Sequence, residues 1–119
     1  MKEAVKKDYS SGWIDRERRK EREIRLLVER FEERLPALCE VLGRYRVKEA
    51  YVFGSFASGG LRPGSDLDLA VSGAERSSWF RLSAELERAA MLNLDLTDLD
   101  LAPAGLKARI LAGGRKIFP

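Results

Sequence analysis

Two short apolar runs, residues 47–53 and 66–71, flank a segment that holds Gly54, Gly59, Gly60, Pro63 and Gly64. The second run carries two aspartates within it, as Asp66-Leu67-Asp68-Leu69-Ala70-Val71. Alternation of Tyr51 and Phe53 against Val52 reads the first run as a strand. The second reads as a strand too, in which successive side chains point to opposite faces. Asp66 and Asp68 then share one face, and Leu67 and Leu69 share the other. Aspartate is a poor strand former, so its double occurrence sets local propensity against position, a conflict expected at functional sites. Neighbouring carboxylates also repel unless something positive sits between them. Magnesium suits that role, as a hard cation held by a few carboxylates and by substrate phosphates.

Gly54-Ser55 closes the first strand and opens a short helix at 55–58. The first amides of a helix lack intrahelical acceptors and favour anions. Gly54 lets the backbone approach a phosphate, and the Ser55 hydroxyl can donate to one of its oxygens. Taken alone, the pair is also an ordinary strand-to-helix turn. Beside a carboxylate pair it points to metal-assisted phosphoryl or nucleotidyl transfer. Arg62 and Ser65, in the loop between, are further candidates for touching a triphosphate. A solvated loop arginine explains Arg62 as simply, and Ser58 is a weaker candidate.

A third carboxylate would complete a two-metal site. Asp95, Asp98 and Asp100 all fall in a third strand expected over 93–101. Asp95 is favoured because it lies deepest in the apolar stretch, Asp98 comes second, and Asp100 reads as a solvated strand end.

The rest of the chain supplies a scaffold. Ile24, Leu27, Val28, Phe31, Leu35, Leu38 and Leu42 recur at helical spacing, which marks a long N-terminal helix from Asp15. Pro36 is expected to kink or break it, and Gly43 to stop it. The polar segment 1–14 is expected to be flexible, leaving 15–119 as a single domain. Trp13 and Trp79 each read as candidate core anchors, and Trp13, in that polar segment, is the more suggestive of an interface. Further helices are expected from Ser77 or Ser78 to about Met91 and from Pro103 to about Ala112, with an edge strand at 116–118. The fold class is α/β (α+β), a small mixed sheet with helices packed on it.

Composition removes several classes of function. The 119 residues include no histidine, which excludes histidine-based hydrolytic triads and histidine-bound zinc. Cys39 is the only cysteine, so no internal disulfide forms, as suits a reducing cytoplasm. No apolar run nears the roughly 20 residues of a membrane span, and the charged start lacks a signal-peptide core. The net charge of +3 arises from charges of both signs and argues little for direct nucleic-acid binding.

Gly54-Ser55 followed by Asp66-Leu67-Asp68, then Leu94-Asp95-Leu96-Thr97-Asp98-Leu99 and Ile110-Leu111-Ala112-Gly113-Gly114, resembles the minimal nucleotidyltransferases of the DNA polymerase beta superfamily. The resemblance spans about residues 47–118. It implies the nucleotidyltransferase fold, with Gly54 and Ser55 on the nucleotide phosphates. Asp66 and Asp68 would hold two Mg2+ ions, and Asp95 would be the third metal-linked carboxylate, activating the attacking hydroxyl. It further implies transfer of AMP from ATP. Many such proteins are antitoxins paired with a helical HEPN toxin, in which a toxin tyrosine receives the AMP. The long charged N-terminal helix exceeds what the minimal core requires. Two other readings stand beside this one. The chain could be a non-catalytic antitoxin that masks its toxin, or a small-molecule nucleotidyltransferase with an acceptor pocket built by homo- or hetero-oligomerisation. Base preference and acceptor identity are not legible in the sequence.

Overall fold

The computed structural model describes residues 2–119, with side chains from Gly12 onward. In chain order the elements are α1 (Lys2–Arg44), β1 (Glu49–Phe53), α2 (Ser55–Ser58), β2 (Leu67–Ser72), α3 (Trp79–Ala90), β3 (Leu94–Asp98), α4 (Ala104–Gly113) and β4 (Arg115–Phe118). One turn of 3-10 helix, Arg76–Ser78, leads into α3. Among the described residues no helix is long and apolar enough to cross a membrane.

The four strands form one sheet in the order β3-β2-β1-β4. β1 pairs antiparallel with both β2 and β4. β2 and β3 run parallel, as their connection through α3 requires. Leu67, Leu69 and Val71 of β2 send fully buried side chains into the main core, together with Phe31, Leu38 and Leu42 of α1 and Leu82 and Leu86 of α3. The alternate face is thinly covered. There Ala70 packs with Leu99 and Ile110, bordered by Tyr51, Phe53 and Leu106. One face of the sheet is therefore a closed core and the other is partly open, and Asp68 lies on the open one.

Helix α1 departs from expectation at three points. It begins at Lys2, so Asp15 lies in its interior and the segment 1–14 has helical backbone from Lys2 onward. It also runs through Pro36. An internal proline costs roughly 3 kcal/mol, yet Leu35 and Leu38 on either side pack into the core, and that burial outweighs the lost bond. Gly43 does not stop it. Arg46 adopts the left-handed conformation (φ 57°), with its N–H bonded to the Gly43 carbonyl (3.0 Å) and that of Val47 to Leu42 (3.1 Å). This is a Schellman closure, sealed by the buried pair Leu42 and Val47. Arg34 Nε donates to the Ala89 carbonyl (2.6 Å) and Arg44 to Glu85 (2.9 Å), tying α1 to α3.

Strand β3 ends at Asp98, not at Leu101. The Asp98 side chain accepts the Asp100 amide (3.0 Å), and the Leu101 amide bonds to the Asp98 carbonyl (3.2 Å). A side-chain turn thus competes with the ladder and terminates it.

Candidate active site

The partly open face of the sheet gathers the acidic residues at the start of β2 and β3. The antiparallel register sets Phe53 opposite Asp68, and the parallel register sets Asp68 opposite Asp95. Adjacent strands lie about 4.8 Å apart, so two carboxylates on one rung are neighbours by backbone geometry alone. Asp66 sits immediately before β2 and is exposed, as is Asp95, while Asp68 is half-buried. Burial raises the Asp68 carboxyl above the ordinary aspartate range, and the negative charges of Asp95 and Asp66 raise it further. Among the described residues no lysine or arginine forms an ion pair with any of the three.

Gly54 adjoins this group. Its φ of 69° is left-handed, and a Cβ there would collide with the Asp68 carboxylate. Only glycine lets the chain turn and pass so close to the acid. The Gly54 carbonyl accepts the amides of Ala57 (3.1 Å) and Ser58 (2.9 Å), which winds α2 directly after β1. Ser55 is its first residue, so its amide has no acceptor within the helix.

The donor set is made only of carboxylates, none of them ion-paired among the described residues, and lies beside the Gly54-Ser55 turn. That chemistry fits a hard divalent cation whose remaining ligands come from phosphate oxygens. Among the described residues no three His, Cys, Asp or Glu side chains already form a ligand cage. The structure thus brings Asp68 and Asp95 onto one rung but does not bring Asp66, Asp68 and Asp95 together as one ligand cage.

The other candidates are placed by their own hydrogen bonds. The Ser65 hydroxyl accepts the Arg62 amide (2.9 Å), and the Ser65 amide returns to the Arg62 carbonyl (3.0 Å). The pair closes a turn that leans on α1. Arg62 borders a groove with Glu17, Lys20 and Ile24, and Ser65 a depression with Leu27 and Arg30. Asp98 and Asp100 lie at the far end of the parallel pair. Asp100 accepts the Gly73 amide (2.8 Å), and Asp98 caps its own turn.

Arg109 was not foreseen. A cleft of about 310 Å³ opens beside Gly54 and is lined by Ala57, Ser58, Arg109, Gly113 and Gly114. The guanidinium is the one cationic side chain among these lining residues. The sequence offered only a lone arginine in a short helix, with no spacing to tie it to Gly54.

Comparison with known proteins follows this geometry. The family described as "Polymerase beta, Nucleotidyltransferase" matches residues 37–119. Among solved structures, one described as a minimal nucleotidyltransferase is 28% identical over 73% of this chain and 92% of its own, with a TM-score of 0.65. A toxin–antitoxin structure with AMP-PNP is 26% identical over 66% of this chain and 67% of its own, with a TM-score of 0.58. A complex of tri-AMPylated Shewanella oneidensis HEPN toxin with an MNT antitoxin shares the fold at 22% identity, over 72% of this chain and 70% of its own, with a TM-score of 0.57. No curated protein matches this sequence. With the family matching most of the chain, from the end of α1 to the last strand, this protein belongs to the polymerase beta nucleotidyltransferase family.

Proposed function

We propose that this chain transfers AMP from ATP to a tyrosine hydroxyl of a partner HEPN toxin and so acts as its antitoxin. The observation that carries this reading is the shared rung of Asp68 and Asp95 beside Gly54. Two similar structures lend it support, one a toxin–antitoxin with AMP-PNP and the other an AMPylated HEPN toxin with an MNT antitoxin.

In this reading the Gly54-Ser55 turn holds the nucleotide phosphates, and Arg109 faces the nucleotide from α4. Asp66 and Asp68 would hold two Mg2+ ions, with Asp95 as the third metal-linked carboxylate. When bound, the ions supply positive charge to the attacking and leaving oxygens. The acceptor oxygen attacks the α-phosphorus as its proton passes to Asp95. The bond from that phosphorus to the bridging oxygen breaks, and pyrophosphate leaves. In this reading the acceptor hydroxyl arrives on the partner toxin. A cytoplasmic setting, where ATP and magnesium abound, belongs to the same proposal.

The test incubates the protein with labelled ATP, Mg2+ and the toxin encoded beside its gene. Label is expected on one or more toxin tyrosines, and none with Asp66→Asn/Asp68→Asn. Neutralisation of the toxin that survives the double change would replace catalysis with simple masking. Label confined to small acceptors would point to small-molecule transfer.

A further inference from the structure

The N-terminal half of α1 has a surface that its own domain leaves uncovered. Core packing along this helix begins at Leu27, yet the helix continues back past Trp13. Trp13 is 59% exposed and Ile14 43%. Trp13, Glu17, Lys20, Ile24, Leu27 and Phe31 are spaced alternately by four and three residues, the seven-residue repeat of one helix stripe packed on another. Its last two members are in the core, so the exposed stripe continues a face already used for packing.

We propose that this stripe pairs antiparallel with the same stripe of a second copy of this chain, about a twofold axis between Arg18 and Arg19. The sequence is self-complementary under that operation. Trp13 meets the second copy's Ile24, and Glu17 meets its Lys20, each contact occurring twice. Arg16, beside the stripe, meets Glu23 of the other copy. Arg18 and Arg19 fall on the outer side of both helices, so the like charges at the axis do not face each other. Within a single chain Lys20 already pairs with Glu17 (3.6 Å), and dimerisation exchanges these partners without stranding a charge.

The loop before β2 supplies a seat. A groove of about 580 Å³ runs between α1 and this loop, lined by Glu17, Lys20, Glu21, Ile24, Leu61 and Pro63, together with Arg62. In the antiparallel pair, Trp13 and Ile14 of one copy arrive at the Ile24, Leu61 and Pro63 end of the other copy's groove. An aromatic anchor then fills an apolar recess with charged residues at its rim, the usual anatomy of a binding hot spot. The contact lies on α1, so it leaves the face bearing Asp68 and Asp95 free.

Sedimentation equilibrium of the full chain is the experiment. A concentration-dependent dimer is expected, weakened at least about thirtyfold by Trp13→Ala, as for an aromatic hot spot. Lys20→Glu places glutamate against glutamate and is expected to weaken it further, and Glu17→Lys/Lys20→Glu restores the complementary pairs and with them the dimer. Circular dichroism checks that α1 keeps its helix in each variant. A monomer at every concentration, or a dimer indifferent to Trp13→Ala and to the charge exchange, overturns the proposal. So does Trp13 emission that shifts only when the toxin is added, since the stripe would then belong to a different protein.

Discussion

β2 and β3 carry acidic residues at both ends of their shared ladder, and the two ends behave in opposite ways. At the far end, Asp98 and Asp100 each accept a backbone amide, from Asp100 and Gly73 respectively. Their charges are spent on shaping the loop. At the near end, Asp68 and Asp95 share a rung and Asp66 lies just before β2, none of them in an ion pair among the described residues, and Asp68 is held above its ordinary range by burial and by its acidic neighbours. The same residue type in the same two strands is structural where an amide answers it and available for chemistry where nothing does. The difference lies in the partner, not in the acid.

The comparison breaks first at Asp68. Replacing Asp68 with Asn should reduce AMP transfer at least about a thousandfold, the scale of losing one group that stabilises developing charge. The readout is labelled AMP on the acceptor, with circular dichroism confirming the fold. Next in size is Gly54→Ala. Its methyl would meet the Asp68 carboxylate at a left-handed backbone position, a strain of roughly 1–3 kcal/mol. Transfer should fall about a hundredfold, and the urea midpoint should drop as well. At the far end, Asp100→Ala should cost about 1 kcal/mol by removing one amide bond, while transfer stays within about twofold of the parent, since no substrate contact is lost.

The smallest effect sharpens the contrast in stability. The folded-state pKa of Asp68 is raised, so its ionised form opposes folding. That opposition is full above the folded pKa and fades as pH falls through it towards the unfolded value. Without divalent cations, Asp68→Asn should therefore unfold at a slightly higher temperature at neutral pH, and its advantage should vanish on acidification. Thermal melts across pH check this. An Asp68→Asn protein less stable than the parent at neutral pH would mean that the near end is not a region of unrelieved repulsion.

Much of this arrangement was legible in the chain. The sheet residues, the 55–58 helix and the edge strand at the C-terminus followed from local signals, because alternation and glycine placement act over a few residues. The favoured status of Asp95 also rested on a local cue, its depth in an apolar run; the parallel register sets it opposite Asp68. The difficulties came from longer range. Pro36 was read as a kink or a break from propensity alone, and the helix continues through it with Leu35 and Leu38 packed in the core. The stop of α1 was read at a glycine, whereas an arginine adopts the left-handed turn under the pull of Leu42 and Val47. Arg62 and Ser65 were named for their place in the loop before the aspartates, and the hydrogen bonds that join the two in one turn were not legible there. Arg109 needed the packing of α4 against β1 to come near Gly54, and no short-range pattern encodes that.

The shared rung of Asp68 and Asp95 has a consequence for divergence. Their separation is set by the hydrogen-bonded ladder, so core side chains can be exchanged widely without moving one acid relative to the other. Overall identity is then a poor gauge of whether the chemistry survives among distant members of such a family. A slip of one residue between β2 and β3 would silence the enzyme more surely than dozens of conservative replacements in the interior.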